Sequence, residues 1–541
     1  MKSEMTEEKR RIIRQLFKCL GLGLLAALII GALIFDAPWK VLALLLIFLA
    51  AHTILPKGTV KWFWLSVAAV VVILIIWVFL PDEDNGWRPF TFDEELAALQ
   101  AKYAVPDSEN AATIYNEISQ MYGDIPFPFY LFGEEIEFLT RIEPWKSTDY
   151  PEVAGWIKDQ QEPISKLLDV SRIEKCRLPI KPNFPQLSTY HELLLAMRQW
   201  AFLLVRAANN DIAEGRIDAA IEKYGCLNQM VDHIHQQPII LDTLFGFTVE
   251  EVASRQIKKL IMTGMLTESH LTGLEQSLKT IKYDWCSDIP EFLDYDKLMI
   301  KGLLRFFYEV NPQGKTRLSR SSTAIIKSQY REKFQQHLTY QQRKFSKAAT
   351  IFFWFFIPST PQKASNIIDE SFKKYYAMAD PGFDWQKAPP PLFSWPNFFR
   401  ELRFNYPCFI TLIVDMQQMH LYQIHDLYLR QIAGNRGRQI IIELNRYKNK
   451  TGRWPESLNE VKSPAPTEIF VDPFNSSTFV YKLTEDNFIL YSKGKNNVDE
   501  NGQYTTEWSA EHNCYKVKED DWLIWSPRRI RVNQKEDNND Q

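Results

Sequence analysis

The sequence predicts a mainly α-helical protein with transmembrane helices at its N-terminal end and a small α+β unit at its C-terminal end. Three observations lead to this fold class: apolar stretches within 19–80, helical hydrophobic patterns over 88–380, and the alternation of a β-hairpin near the C-terminus. The 541 residues suffice for several cores. The predicted division is a basic N-terminal segment (1–18), a transmembrane region (19–80), a helical domain (88–380), a Pro-rich connector (381–400), a long helix with an α+β unit (405–530) and a disordered tail (531–541).

The first predicted element is the transmembrane region, with apolar stretches at 19–35, 41–55 and 62–80. A helix of ~20 residues crosses the ~30 Å hydrocarbon layer, and the third stretch meets that length without a charge. The second is the shortest, so whether it spans fully, and hence on which side the large domain lies, stays open. A cleaved signal peptide is disfavoured because two further apolar stretches follow the first.

Charge predicts the orientation of these spans. Six basic residues precede residue 19, which favours a cytoplasmic N-terminus. Three spans then place the large domain outside the cytoplasm. The lipid bilayer is therefore an expected partner, contacted through 19–80.

The predicted helical body opens with DSENAATIYNEI, in which Asp107 is the expected N-cap. The stretch HELLLAMRQWAFLLVRAANN (191–210) is apolar on nearly every face, which predicts a helix buried all round in a core. The next segment, 211–234, resembles half of a tetratricopeptide-type helix pair through Gly215, Ala219-Ala220 and Tyr224. No second copy follows at the expected spacing, so the body is only repeat-like.

Charge and cysteine usage exclude some classes. Beyond residue 81 the chain carries 54 Lys and Arg against 62 Asp and Glu. Nucleic-acid binding is therefore not expected, since it needs a basic face. None of the six cysteines forms a CxxC pair, which argues against zinc. The disulfide state of the five cysteines beyond the apolar region is left open.

The C-terminal unit follows the Pro-rich connector. A helical pattern over 409–452 is expected to end at Gly452, and Pro455 suits the first turn of a short helix. The segments 478–483 and 487–492 alternate as the strands of a hairpin. Before them, Asp472 is expected to bond its own downstream backbone in a turn.

This order of elements resembles the globular part of type II secretion major pseudopilins. The likeness covers under a fifth of the chain. The matching pieces are Gly452-Arg453-Trp454-Pro455 with Leu458, then Asp472-Pro473-Phe474, then Leu490-Tyr491-Ser492-Lys493-Gly494.

The resemblance implies a small α+β cap, and in that family the loop after the last strand binds calcium. Here the corresponding loop, 492–503, offers few carboxylates, and calcium binding is left open. The long helix is internal and is interrupted by Asp415, His420 and Asp426, so polymerisation into a pseudopilus is not expected.

The arrangement also resembles a set of uncharacterised bacterial membrane proteins, through the phrase Pro106-Asp107-Ser108-Glu109-Asn110-Ala111-Ala112. This likeness implies a multi-pass protein of the bacterial inner (cytoplasmic) membrane. It carries no activity over to this chain.

A search for catalytic motifs finds no metalloprotease, nucleophile-elbow, phosphate-loop or dinucleotide signature. His233 and His235, like His420 and His425, are spaced off one helix face and are expected to be surface or capping residues. Glu134, Glu135 and Glu137 are expected to form a solvated helix face. No catalytic, cofactor-binding or metal-binding residue is predicted.

The expected function is that of a non-enzymatic scaffold or partner-binding protein of the bacterial envelope or secretion apparatus, with protein partners in the envelope. The alternative is an envelope hydrolase that acts on glycan or peptide with carboxylates in a helical groove. Partner identity and oligomeric state are left open.

Overall fold

The structure, a computed structural model, falls into two compact units. The first unit comprises 1–91, 300–369 and 393–413, and the second comprises 92–299, 370–392 and 414–541. The residues that the structure describes are 86–180, 187–318, 360–385, 414, 420–462, 467–485, 487–509 and 514–525.

Helices dominate the described residues, as the sequence predicts. In chain order they are α1 (Asp93–Lys102), α2 (Ala111–Tyr122), α3 (Phe129–Phe132), α4 (Glu134–Ile142), α5 (Pro151–Asp159), α6 (Gln161–Val170), α7 (Leu187–Ala213), α8 (Ile217–His235), α9 (Ile240–Met262), α10 (Glu268–Leu278), α11 (Trp285–Gly302), α12 (Pro361–Tyr376) and α13 (His420–Thr451).

The strands form three small antiparallel sheets. In chain order they are β1 (Arg88–Pro89), β2 (Tyr308–Val310), β3 (Thr316–Leu318), β4 (Val480–Leu483), β5 (Phe488–Ser492), β6 (Tyr504–Ser509), β7 (Cys514–Asp520) and β8 (Trp522–Trp525). The sheet orders are β1-β2-β3, β4-β5-β8 and β6-β7.

Within the first unit, the sheet β1-β2-β3 joins two distant parts of the chain. Arg88 lies opposite Val310, and Tyr308 lies opposite Leu318. The Arg317 guanidinium sits 3.9 Å from the Trp87 ring centroid, a cation–π contact. None of these three strands is predicted by the sequence pattern.

In the second unit, α7 is the central helix of the body. Trp200, Leu203 and Leu204 are fully buried on it, which confirms the prediction of a helix buried nearly all round. It packs on α8, and α8 packs on α9 and α10. An all-round apolar helix needs such neighbours on several sides.

The start of α2 differs from the prediction. Its N-cap is Asn110, whose Oδ1 accepts a hydrogen bond from the Ala112 amide at 3.1 Å, while Asp107 lies in a 3₁₀ turn. The same Asn110 oxygen accepts from the Arg177 amide at 2.9 Å. The prediction that Asp107 caps α2 is therefore wrong. Asn110 also binds a second segment of the chain, and local sequence does not reveal such a contact.

The long helix α13 belongs to the same unit and packs on α9 and α10. It runs without a break through Gly434 and Gly437. At Gly437 the helix lies so close to Ile524 of β8 that a Cβ on this glycine would overlap the isoleucine side chain. The helix ends at Thr451, and Gly452 follows with φ +78°, which confirms the predicted stop.

The predicted hairpin is confirmed as β4 and β5, with Val480 opposite Tyr491 and Leu483 opposite Phe488. Strand β8 adds to the other side of β5 and was not predicted. Ahead of the hairpin, Asp472 Oδ1 accepts from the Phe474 amide at 3.0 Å, so the predicted turn is also confirmed.

The membrane part of the predicted fold class needs correction. No helix among the described residues is both long enough and apolar enough to cross a bilayer. Each of the three longest helices carries charged residues: Arg198 and Arg206 on α7, Asp242 and Glu250 on α9, and Arg436 and Arg438 on α13. This finding contradicts the predicted multi-pass location, with its cytoplasmic N-terminus and extracytoplasmic domain.

The predicted spans themselves, 19–35, 41–55 and 62–80, lie outside the described residues, as do the N-terminal segment 1–18 and the tail 531–541. We therefore describe the fold as mainly helical, with small antiparallel sheets.

Candidate functional site

The most unusual surface of the second unit is the short helix α3. Three consecutive large apolar residues on it, Phe129, Tyr130 and Leu131, are 56%, 78% and 65% exposed. Scattered single apolar residues are normal on a protein surface, but a contiguous group is not. We call these three residues the aromatic turn.

Local sequence explains the shape of the aromatic turn. Pro128 occupies the cap position before it, and Gly133 ends it with φ +89°. The flanking Phe127 is buried and its ring centroid lies 5.4 Å from that of Phe132 and 5.3 Å from that of Trp156. The rings of Phe127 and Phe132 pack inward, and the aromatic turn between them is exposed to solvent.

A buried arginine supports this corner of the fold. Arg206 of α7 is 1% exposed, and its Cζ lies 4.2 Å from the Phe127 ring centroid. Its Nη2 donates to the Glu137 carboxylate of α4, and burial lowers the pKa of Arg206 to about 10. Asn209, one turn on, donates to the backbone oxygens of Thr140 and Arg141. These contacts hold the residues that support the aromatic turn in place.

The predicted glutamate face is only partly solvated. Glu134 and Glu135 are exposed, as expected, and add negative charge beside the aromatic turn. Glu137 is instead half-buried between Arg206 and Arg141. It serves as an ion-pair partner rather than as one of two facing carboxylates.

A second group of functional side chains is fully internal. Glu250 of α9 is 0% exposed, and its Oε1 accepts from Arg438 Nη2 of α13 at 2.8 Å. Its Oε2 accepts from the Tyr283 hydroxyl. Burial raises the pKa of Glu250, and Arg438 opposes that effect. Both carboxylate oxygens are occupied, so this buried charge cluster (Glu250, Tyr283, Arg438) links elements of the core.

Aromatic rings surround that cluster. Tyr428 lies 5.4 Å from Tyr283 and from Trp285 between ring centroids, and its hydroxyl donates to Asp288 Oδ2 at 2.6 Å. Desolvation raises the pKa of Asp288 to about 6. The aromatic-rich composition is thus used here for packing, with the polar tips satisfied.

Two of the histidines expected to be surface or capping residues, His233 and His425, are buried instead. His233 is fully buried: its Nδ1 lies 3.0 Å from the Tyr115 hydroxyl and its Nε2 lies 2.8 Å from the Ile173 oxygen. His425 stacks on Trp385 with ring centroids 3.7 Å apart. His235 also packs against rings, those of Phe247 and Tyr283. The side chain of residue 420 lies outside what the structure describes.

The described residues hold no cluster of three or more His, Cys, Asp or Glu placed to bind a metal ion. In the loop 492–503, Asp499 accepts from the Tyr491 hydroxyl at 2.5 Å and from Lys482 at 3.1 Å. Glu500 accepts from the Asp520 amide. These carboxylates are occupied by groups of the protein itself.

Three of the cysteines are free thiols: Cys176, Cys226 and Cys286. Burial raises the pKa of Cys176 and of Cys226 to about 12, so neither is a reactive nucleophile. Residues 19 and 408 lie outside the described residues.

The segments on which the pseudopilin resemblance was based lie close together. The Asn475 amide, just after the Asp-Pro-Phe turn, donates to the Gly494 oxygen at 2.7 Å. The Tyr481 hydroxyl of β4 donates to the Pro455 oxygen at 2.8 Å. Leu458 is buried in a 3₁₀ turn that starts later than the short helix predicted from Pro455.

Comparison of the chain with protein-family models, with curated proteins and with solved structures gave no match.

Sequence reasoning missed both the aromatic turn and the buried charge cluster. The first had a local signal, the run PFPFYLFG, which is too short and too punctuated by Pro and Gly to be a core helix. The second had none, because Glu250 and Arg438 are 188 residues apart.

Proposed function

We propose that this protein is a non-enzymatic partner-binding protein that contacts a protein partner through the aromatic turn. The observation that carries the proposal is the exposure of Phe129, Tyr130 and Leu131 side by side on a supported helical turn. Aromatic and large aliphatic residues are the usual anchors of protein interfaces.

The rigidity of the aromatic turn supports a role in partner binding. The Arg206–Glu137 pair and the buried Phe127 fix the turn before a partner arrives, so little ordering entropy is lost on association. The exposed Glu134 and Glu135 beside it favour a partner with basic residues around an apolar patch.

The hydrolase alternative has weaker support. A glycosidase-type site needs two carboxyl groups on either side of a substrate cleft. The carboxylates that lie among aromatic rings, Glu250 and Asp288, instead accept hydrogen bonds from Tyr283 and Tyr428. The bacterial envelope or secretion apparatus as the source of the partner stays a prediction.

Site-specific photo-crosslinking tests the proposal. A photoreactive amino acid replaces Tyr130 in the full chain, in the cells that produce it, and exposed Lys158 of α5 is the control position. We expect a discrete heterologous protein adduct from position 130 that is absent from position 158. An adduct pattern common to both positions, or adducts with lipid alone, would refute the proposal.

A surface variant gives a second readout. With the photoreactive residue at exposed Met121, the F129S/Y130S/L131S variant should lose any adduct that depends on the aromatic turn, while its unfolding transition stays close to that of the parent. Retention of the same adduct would place the binding surface elsewhere.

A further inference from the structure

A second surface of the helical body, on α7 and α9, carries positive charge over an apolar pocket. The pocket has a volume of about 50 Å³ and is lined by Arg198, Ala201, Phe202, Thr248, Val249 and Val252. Four of these six side chains are apolar, Thr248 is polar, and Arg198 is the charged one.

Two guanidinium groups lie close to the Phe202 ring, which lines this pocket. Arg141 Cζ lies 4.7 Å and Arg198 Cζ lies 5.3 Å from the Phe202 ring centroid. Cation–π stacking of this kind holds a guanidinium in place while its N–H donors stay available. Phe202 therefore sets the position of both cations.

The charge at this place is not balanced. Arg141 and Arg206 share one carboxylate, that of Glu137. Arg198 is exposed and forms no ion pair with a carboxylate of the described residues. The three guanidinium groups thus have one carboxylate among them, which leaves a local excess of two positive charges.

Nearby acidic groups do not cancel this excess. Glu251 pairs with Arg255 at 3.4 Å, and Glu143 pairs with Lys259 at 2.6 Å. A ligand for this surface must therefore bring negative charge together with an apolar group.

The volume of the pocket favours a peptide side chain over a small molecule as its ligand. A volume of about 50 Å³ accepts one aliphatic side chain, whereas small-molecule sites measure roughly 300–1,000 Å³. The apolar surface also continues beyond the pocket: Leu195, one turn before Arg198 on α7, is half exposed. A linear ligand with more than one apolar anchor fits that extension.

We propose that this Arg198–Phe202 pocket binds an acidic peptide segment of a partner protein. One Leu, Ile or Val side chain of the segment enters the pocket, and an adjacent Asp or Glu pairs with Arg198, a geometry in which Arg binds carboxylate with two parallel hydrogen bonds. The inference rests on the proposed partner-binding function but concerns a different surface from the aromatic turn.

Selection from a phage-displayed library of random 12-residue peptides tests the proposal on the purified full chain, with counter-selection on the R198E variant. We expect enriched peptides to carry Asp or Glu within two positions of Leu, Ile or Val. Enrichment of basic peptides, or no enrichment above the counter-selection, would overturn the proposal.

The affinity of an enriched peptide, measured by fluorescence anisotropy, gives the quantitative test. R198A should weaken binding about ten-fold or more, because a charge-assisted hydrogen bond is lost. V252W should block the pocket with a similar loss. R172A, which removes an exposed arginine on another surface, should change the affinity less than about two-fold. Equal losses for R198A and R172A would show only a general charge effect and overturn the site.

Two further measurements separate the outcomes. Thermal unfolding of each variant checks that the fold persists, and F129S/Y130S/L131S should leave the affinity of the peptide unchanged, so that failure of this site and failure of the aromatic turn are distinguishable. Vesicles of anionic phospholipid are the second probe: binding of vesicles that R198A abolishes would assign the surface to lipid and refute the peptide proposal.

Discussion

Arg438 Nη2 and Glu250 Oε1 lie 2.8 Å apart and form an ion pair in the core of the second unit. Arg438 is 1% exposed and Glu250 is 0% exposed. The two residues come from α13 and α9, so the pair joins the C-terminal helix to the helical body. A buried pair of this kind adds little net stability but is costly to break, because the remaining charge keeps its desolvation penalty without its partner.

We therefore expect R438M and E250Q each to lower the free energy of unfolding by about 3–5 kcal/mol. Chemical unfolding of the full chain measures this change. The double variant E250L/R438M should be less destabilised than the sum of the two single variants, because no unpaired charge remains. The exposed pair Arg172–Asp169 is the control, and R172M should cost less than about 1 kcal/mol. Strictly additive single losses would contradict the coupling of the two residues.

Asp242 predicts a pH dependence of stability. Burial raises the pKa of this carboxyl to about 7, whereas an unfolded Asp has a pKa of about 3.9. Between pH 4 and pH 7 the folded state therefore holds a proton that the unfolded state has released, and stability falls as the pH rises through this window.

D242N removes that titration, so its stability relative to the parent should increase from pH 4 to pH 7, by at most roughly 1.4 kcal/mol per pH unit. Unfolding curves recorded at each pH provide the measurement, with D169N as a variant that removes an exposed carboxyl. A constant difference between D242N and the parent across this window would show that Asp242 ionises normally.

Two glycines of α13 should respond oppositely to alanine. A Cβ at Gly437 would overlap the side chain of Ile524, so G437A should cost about 1–3 kcal/mol through displacement of β8. A Cβ at Gly434 meets no atom within 4 Å, so G434A should stabilise the helix by about 0.5–1 kcal/mol. Thermal unfolding of the pair decides; a gain of equal size at both positions would mean that helix propensity, not packing against Ile524, sets the effect.

Asn110 should be more sensitive than its chain neighbours. Its side chain caps α2, and its Nδ2 donates to the Arg177 oxygen at 3.0 Å. N110A should therefore lower the free energy of unfolding by about 2–3 kcal/mol, the sum of a lost cap and lost hydrogen bonds to a second segment. D107A, in the exposed 3₁₀ turn, should change it by less than about 0.5 kcal/mol. The reverse order of these two effects would restore Asp107 as the cap.

Local patterns were sufficient where neighbouring residues alone decide the conformation. The buried helix over 191–210, the stop at Gly452, the Asp472 turn and the hairpin of β4 and β5 all follow from spacing and turn chemistry, and all are present. The predicted multi-pass location is wrong, since no helix among the described residues is long and apolar enough to cross a bilayer.

The sequence by itself determined that the chain is mainly helical, with an apolar helix in the core and a small β unit after Gly452. Only the tertiary structure decided which polar residues are internal, because Glu250, Arg438, Arg206 and His233 receive their partners from segments distant in the chain. The aromatic turn is the converse case. The run PFPFYLFG indicates that these residues do not form a core helix, but only the tertiary structure shows that Phe127 is buried while the three residues after Pro128 are exposed.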